Sequence, residues 1–96
     1  MKNPEEEKAF YERLKEQLDD TTEFPSRYLY KFIVPTSDDK VKEVISFFEN
    51  SGAVVNTKTS SKGNYTSVSI TVTMESSQAV IDKYKAVSAV EGVISL

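Results

Sequence analysis

The sequence predicts an α+β fold, a ferredoxin-like βαββαβ sandwich in which two helices cover one face of a four-stranded antiparallel sheet. Two observations lead to this prediction. Residues 65–74 alternate between polar and apolar side chains, which is the period of a half-buried strand. Residues 37–52 and 76–92 instead repeat their apolar side chains at helical spacing, and segments rich in β-branched and aromatic residues flank them. An extra helix is expected ahead of this core.

The first half of the core is predicted as a strand followed by a helix. The strand "RYLYKFIV" begins at Arg27 and is stopped by Pro35, which cannot donate to a sheet. The helix begins after Ser37, a favourable cap, and is expected to stop at Gly52, a residue that readily adopts left-handed backbone angles. The apolar face of this helix consists of Val41, Val44, Ile45 and Phe48.

The second half repeats this pattern after a hairpin. Residues 53–60, "AVVNTKTS", are predicted as the second strand and residues 65–74 as the third. The following helix is capped by Ser76 or Ser77, and "GVISL" closes the chain as a short strand. The inward-facing residues of this helix are Ala79, Val80, Tyr84 and Val87.

The turn "SSKG", residues 60–63, has two interpretations. The first is functional: the turn could contain a Ser-Lys dyad or bind an anion. Against the dyad, adjacent side chains of an extended segment point to opposite faces. A phosphate-binding loop is also expected to precede a helix, whereas a strand follows here. Gly63 is better explained as the residue at positive φ that a hairpin requires. We therefore predict a structural turn.

Residues 1–22 are predicted as an acidic amphipathic helical leader and linker, and residues 23–96 as the core domain. Asn3 is a suitable cap and Pro4 a suitable first helical residue. The leader has a narrow apolar stripe of Phe10, Leu14 and Leu18 with Tyr11 beside it. So thin a stripe does not hold a helix alone, so we expect the helix to dock on its own core or on a neighbouring subunit.

The charge of the leader suggests what it does. Residues 1–23 hold four Lys or Arg residues against eight Asp or Glu residues, whereas the whole chain has a net charge of −3. This acidity complements basic core residues, namely Arg27, Lys31, Lys58 and Lys62. The leader is therefore expected either to cover a binding surface reversibly or to serve only as a solubilising helix.

The composition excludes several classes of function. The chain contains neither Cys nor His, which removes thiol nucleophiles, catalytic triads and the usual zinc sites. The acidic pairs Asp19-Asp20 and Asp38-Asp39 are explained as helix-terminal residues. We therefore expect a non-enzymatic protein with no cofactor and no metal. The lack of a long apolar run and of a signal sequence predicts a cytoplasmic protein without a membrane partner.

Three segments carry a resemblance to a known family. "FPSRYLYKFIV", "SSKGNYTSVSIT" and "GVISL" resemble the YbeD-like family of small bacterial proteins of unknown function, over residues 23–96. The resemblance implies an ACT-like regulatory fold, and hence regulation or binding rather than catalysis. The chain departs from the family at Val34-Pro35, where the family often has glycine, and in residues 1–22, which lie outside the resemblance.

The candidate binding site follows from strand alternation. If Tyr30 and Phe32 face the helices, then Leu29, Lys31 and Ile33 lie on the open face of the sheet. Tyr65 of the third strand shares that face, and Lys62 lies in the adjoining turn. The candidate site for a partner or an anionic ligand is therefore Leu29, Lys31, Ile33, Lys62 and Tyr65. The alternative is that Lys31 is simply a solvated residue of a polar face.

The function expected from these features is that of a small regulatory or protein-interaction module. It would act through the open sheet face or an edge strand, on another protein or on a second copy of itself. An ACT-like domain that binds a small-molecule effector is an alternative. An RNA-binding sheet is less favoured, because the isoelectric point is near 4.9 and Tyr65 is the one plausible stacking residue.

Overall fold

The computed structural model describes residues 4–95, which form three helices and four strands in the predicted order. The helices are α1 (Pro4–Thr21), α2 (Asp38–Ser46) and α3 (Ser77–Val87). The strands are β1 (Ser26–Pro35), β2 (Val54–Thr59), β3 (Tyr65–Met74) and β4 (Ile94–Ser95). The predicted cap Asn3 and the last residue of "GVISL", Leu96, lie outside the described residues.

The strands form one antiparallel sheet in the order β2-β3-β1-β4. In the β1–β3 pair, Lys31 lies opposite Ser69, and in the β2–β3 pair Ser69 lies opposite Asn56. Strand β4 pairs with β1 through Ile94 and Ile33 and one further pair. In each βαβ unit the two strands are separated by one strand of the other unit, which is the ferredoxin-like arrangement. The predicted fold class is confirmed.

The core lies between the sheet and the helices. Tyr30, Phe32 and Val34 are fully buried on β1, and Val68, Ile70 and Val72 are buried on β3. These residues pack with Val44 of α2 and with Val80, Tyr84 and Val87 of α3. The rings of Tyr30 and Tyr84 meet edge to face with their centroids 4.9 Å apart. Both core helices therefore cover one face of the sheet, and the other face is left open.

Both core helices end earlier than predicted: α3 ends at Val87, before the rest of the predicted segment 76–92. Helix α2 ends at Ser46 rather than at Gly52, because Phe47 and Phe48 donate to carbonyls three residues earlier and so tighten the chain into turns. Ser37 occupies the cap position of α2, but its side chain makes no capping hydrogen bond. Gly52 does have a positive φ of 74°, which it uses in the turn that leads to β2.

The two serines before α3 have different roles. The side chain of Ser76 caps the helix, since its Oγ accepts a hydrogen bond from the Ala79 N–H at 3.0 Å. Ser77 is buried, and its hydroxyl donates instead to the carboxylate of Asp19 in α1. The second serine therefore joins two helices.

Helix α1 packs against α3 and extends the helical layer. Leu18 enters the common core with 8% of its surface exposed, while Leu14 is half-buried and Phe10 is 51% exposed. The expectation that α1 docks on its own core is confirmed. In this structure α1 does not cover the basic residues of the sheet, because it lies on the other side of the sheet from Lys31. An apolar stripe gains most from apolar surface, which the helical layer offers and the polar open face does not.

Candidate functional site

The candidate site is the open sheet face, which we define by the outward-facing strand residues. These residues are Arg27, Leu29, Lys31, Ile33, Val54, Asn56, Lys58, Tyr65, Ser67, Ser69, Thr71, Thr73 and Ile94. The strand register places them in rows across the sheet. One row contains Asn56, Ser69 and Lys31, and the next contains Lys58, Ser67, Ile33 and Ile94.

Most of the predicted site residues lie on this face. Lys31 is exposed, Leu29 and Tyr65 are 51% and 50% exposed, and Ile33 is half-buried. The face was predicted from the burial of Tyr30 and Phe32, and both are fully buried. The alternation of β1 was therefore interpreted correctly.

Lys62 lies in the hairpin turn, away from Lys31 in the middle of β1. It lies at the tip of the β2–β3 hairpin, beyond Thr59 and Thr66, the last residues that pair. Lys31 pairs with Ser69, and Tyr65 lies four residues nearer the turn, roughly 13 Å along the strand. Lys62 therefore marks the end of the open sheet face rather than its centre.

The hairpin has the geometry of a structural turn, as predicted. Gly63 has a φ of +76°, and its N–H donates to the carbonyl of Ser60 at 2.9 Å. The N–H of Ser60 donates to the carbonyl of Tyr65 at 2.8 Å, and the Ser60 hydroxyl accepts from the Tyr65 N–H at 3.2 Å. Ser60, one of the two serines adjoining Lys62 that a dyad could have used, is thus occupied in closing the turn.

The open sheet face is cationic although the protein as a whole is acidic. Arg27, Lys31 and Lys58 lie on it, and none of the four strands contains an Asp or a Glu. Within residues 4–95 the one salt bridge joins Lys15 to Asp19 on α1. The three cations are exposed and make no ion pair with any residue of the described part of the chain, so they can contact an external anionic group.

A shallow groove of about 290 Å³ lies between Lys31 and Lys58. Asn56, Ser67 and Ser69 contribute its polar side chains. Ammonium, amide and hydroxyl groups can all donate hydrogen bonds, so the groove suits a carboxylate or a phosphate oxygen. No group of three or more potential metal ligands occurs in the part of the chain that the structure describes.

Sequence reasoning missed the contribution of β2 to this face. Lys58 was recognised as a basic residue but not as a site residue, and Asn56 and Val54 were not considered. Pairing of β2 with β3 aligns all three with the open face of β3. The signal was present in the hairpin, because the turn fixes the register and the register fixes which side chains share a face.

The fold and the site define a small α+β protein that presents a bare, cationic sheet surface. No helix within residues 4–95 combines the length and the apolar character that a membrane span requires. Residues 19–96 match the family model of DUF493, whose description is a protein of unknown function. The chain belongs to the DUF493 family.

Relatives from several bacteria align with most of this chain. A UPF0250 protein from Shewanella sediminis is 36% identical over 80 residues, which cover 80% of this chain and 91% of the relative. A UPF0250 protein from Idiomarina loihiensis is 34% identical over 82 residues, covering 82% and 93% respectively. One from Enterobacter is 40% identical over 63 residues, covering 62% and 72%.

These matches confirm the resemblance to small bacterial proteins of unknown function. The family match begins at Asp19, near the end of α1, so most of that helix lies outside it. No solved structure matches the chain significantly.

Proposed function

We propose that this protein is a non-enzymatic regulatory or interaction module whose open sheet face binds an acidic surface of a partner protein. The observation that carries the proposal is the charge of that face. Arg27, Lys31 and Lys58 lie on one face, and none of the four strands contains an acidic residue, although acidic residues outnumber basic ones in the chain by fifteen to twelve. Such a segregation of charge favours association with a complementary surface.

The apolar residues of the open sheet face support the same proposal. Within residues 4–95, four of the five large apolar side chains that are well exposed lie on this face, on either side of the row that contains Lys31. Leu29 and Val54 share one row, and Ile94 and Tyr65 lie towards the hairpin end. Protein interfaces commonly combine apolar and aromatic contacts with polar groups that fix the orientation of the partner. A site that binds only a small anion would not need these exposed apolar side chains.

The edge strand β2 offers a second route to association. It is the outer strand of the sheet, and its residues are exposed apart from half-buried Val55. An exposed edge can pair with a strand of another chain, including a second copy of this one. Lys58 on this edge hinders uncontrolled pairing between edges. The open sheet face is therefore the primary surface in the proposal, and β2 extends it.

Catalysis is not part of the proposal. The chain has no His and no Cys, and Ser60 is held in the turn by its hydrogen bonds. The raised pKa values belong to tyrosines, and the cause at Tyr30 and Tyr84 is chiefly burial in the core. Burial makes these hydroxyls harder to ionise, which does not prepare them for acid–base chemistry near neutral pH.

An RNA-binding sheet receives less support. Sheets that bind RNA stack two or three bases on aromatic side chains. The aromatic residues of β1 face the helices, and Tyr65 at the end of β3 is the one ring on the open sheet face. Acidic protein is thus the preferred partner, and RNA is an outcome that the experiment below can detect.

The experiment places a photo-crosslinking amino acid on the open sheet face in bacterial cells. Leu29 is a suitable position because its side chain is exposed beside Lys31. Ala89, an exposed residue after α3, is the matched control on the helical layer. The proposal expects Leu29 to crosslink to a discrete protein and Ala89 to give no such product. Crosslinking to RNA, or equal crosslinking from both positions, contradicts it.

Charge reversal then tests the electrostatic argument. Lys31→Glu is expected to abolish most of the crosslinked product, because it places a carboxylate opposite an acidic partner. Lys42→Glu makes the same change of charge on the exposed surface of α2 and is expected to have little effect. Raising the salt concentration is expected to weaken the complex of the unmodified protein, since exposed charge pairs are screened.

A further inference from the structure

A cavity of about 550 Å³ lies beneath the N-terminal half of α1, on the helical side of the sheet. Helix α1 contributes Phe10, Tyr11 and Leu14 to its wall, and the core contributes Tyr28 and Tyr84. Small-molecule sites usually have volumes of roughly 300–1,000 Å³ and are lined by apolar and aromatic groups with a few polar ones. The cavity has both the size and the lining of such a site.

Helix α1 is attached most firmly at its C-terminal end, and the cavity lies beside its other half. Near its C-terminal end, Leu18 is buried and Asp19 accepts the hydrogen bond from Ser77. Towards its N-terminal end, exposure rises through half-buried Leu14 to Phe10, which is 51% exposed. Tyr11 and Leu14 pack partly against the core, and together with Phe10 they border the cavity. Surfaces that border a gap lose the dispersion contacts that close packing provides, so an occupant would be stabilised there.

Two tyrosine hydroxyls give the cavity a polar feature. The hydroxyl oxygens of Tyr28 and Tyr84 are 2.9 Å apart, and both residues line the cavity. Each hydroxyl carries one proton, and the hydrogen bond between the two hydroxyls uses one of these protons. Within residues 4–95 neither hydroxyl makes a second hydrogen bond, although Tyr84 is only 7% exposed. One O–H group is thus left to donate to an acceptor in the cavity.

The protonation of Tyr84 agrees with this role. Burial, with the hydrogen bond to Tyr28 as the next cause, raises the pKa of Tyr84 well above its usual value. The hydroxyl therefore stays protonated across the physiological range. The pair acts as a hydrogen-bond donor and does not accept a proton from an occupant.

The charge at the rim limits which molecules fit. Glu7 lines the cavity and, after burial, is the second cause that raises the pKa of Tyr11. The nearby Lys85 ammonium lies 5.5 Å from the centre of the Tyr11 ring, on which it is already engaged. A carboxylate in the cavity would be repelled by Glu7, whereas an amide N–H could donate to it.

We propose that this cavity binds a neutral aromatic small molecule that presents a carbonyl or ring-nitrogen acceptor to the Tyr28–Tyr84 pair. The ring would lie between Phe10 and Tyr28, and a donor on the molecule would point to Glu7. Filling the gap would also hold the N-terminal half of α1 against the core. The cavity shares one residue, Ile94 at the edge of the sheet, with the proposed protein interface, and the proposal does not depend on that interface.

Benzamide is a suitable probe, since it is neutral and planar and carries both an acceptor and a donor. In an NMR titration of the full chain, we expect millimolar binding with shifts of the Tyr28, Tyr84 and Phe10 resonances. Benzoate has the same shape but a negative charge, and it is expected to bind several-fold more weakly. Toluene has no hydrogen-bond acceptor of this kind, so its affinity measures the contribution of apolar contacts to binding alone.

The double variant Y28F/Y84F tests the hydroxyl pair. Replacing both partners by side chains of the same shape changes stability little, and thermal melting checks that the variant is folded. The loss of one hydrogen bond should lower the affinity for benzamide roughly two- to tenfold and leave the affinity for toluene unchanged. Equal benzamide affinity in the variant overturns the proposal.

Two further results keep the proposal testable should that variant fail to fold. The variant Glu7→Gln removes the negative charge that repels benzoate at the rim of the cavity. It should therefore raise the affinity for benzoate towards that for benzamide. An unchanged affinity for benzoate counts against the proposal. Two results would overturn the proposal. One is that benzamide shifts resonances of the open sheet face alone. The other is that it shifts none at roughly 50-fold excess over protein, which is enough to detect millimolar binding.

Discussion

At the scale of single residues, backbone angles and side-chain direction explain most of what the sequence motifs do. Gly63 adopts a φ of +76° in the hairpin, and no atom lies within 4 Å of the position where a Cβ would be added. The requirement for glycine there is therefore conformational rather than steric. Lys31 is set on the open sheet face by the alternation of β1, in which its two neighbours are fully buried.

Replacing Gly63 by Val should lower the free energy of unfolding by roughly 1–3 kcal/mol, because a β-branched residue is strained at this backbone angle. Chemical denaturation measures the change. Ser61→Ala in the same exposed turn is the control and should be nearly neutral. A melting temperature unchanged by Gly63→Val would show that the turn tolerates any residue.

Replacing Lys31 by Ala should change the free energy of unfolding by less than about 0.5 kcal/mol, since Lys31 is exposed and makes no ion pair within residues 4–95. The same variant should crosslink less to the proposed acidic partner. Denaturation and photo-crosslinking measured on one preparation separate the two effects. Loss of folding would contradict the placement of Lys31 on the open sheet face.

At the scale of elements, the attachment of α1 to α3 is the feature that deserves a test. Asp19 accepts hydrogen bonds from buried Ser77 and, at 3.3 Å, from Lys15 on its own helix. The Ser77 hydrogen bond is the first cause that lowers the pKa of Asp19 below its ordinary value, and Lys15 adds to it. The carboxylate therefore joins the two helices more strongly when it is ionised than when it is protonated.

The direction of the shift fixes its pH dependence. Because the pKa of Asp19 is lower in the folded state than in the unfolded state, the stabilisation is complete above the ordinary value of 3.8. It is lost as the pH falls through the lowered pKa. In an NMR titration, Ser77→Ala should raise the pKa of Asp19 and speed amide exchange in α1. Lys15→Ala, the control, should have the smaller effect, and an unshifted pKa in Ser77→Ala would contradict the contact.

At the scale of the whole molecule, the two faces of the sheet are separated in chemistry. The helical side carries the core, helix α1 and the cavity beneath it, whereas the other side is bare and cationic. Leu18 is the one residue of α1 that is buried, so this helix adds little to the common core. The core of residues 23–96 is still predicted to fold alone.

Deleting residues 1–22 should leave the sheet intact and lower the stability by about 2–4 kcal/mol, comparable with the loss of one buried leucine. The deletion uncovers Tyr28 and Tyr84, so more self-association is expected in analytical ultracentrifugation. Crosslinking from the open sheet face should not change, because α1 lies on the other side. Tighter partner binding by the truncated chain would instead indicate that α1 covers the open sheet face in solution.

The order of the elements and the inward face of each strand could be predicted from the sequence, because both depend on local periodicity. The alternation of residues 65–74 identified β3, and that of β1 placed Leu29, Lys31 and Ile33 on one face. The hairpin at Gly63 was predictable for a similar reason, since turn chemistry is local. Family membership was also indicated by contiguous residues.

Tertiary structure alone decided what depends on contacts between distant segments. The register across the sheet brought Lys58 and Asn56 beside Lys31, a set that no single strand contains. Packing placed α1 on α3 rather than on the basic sheet, because burial of Leu18 outweighs attraction between exposed charges. The Tyr28–Tyr84 pair, 56 residues apart in the chain, likewise formed only when β1 met α3.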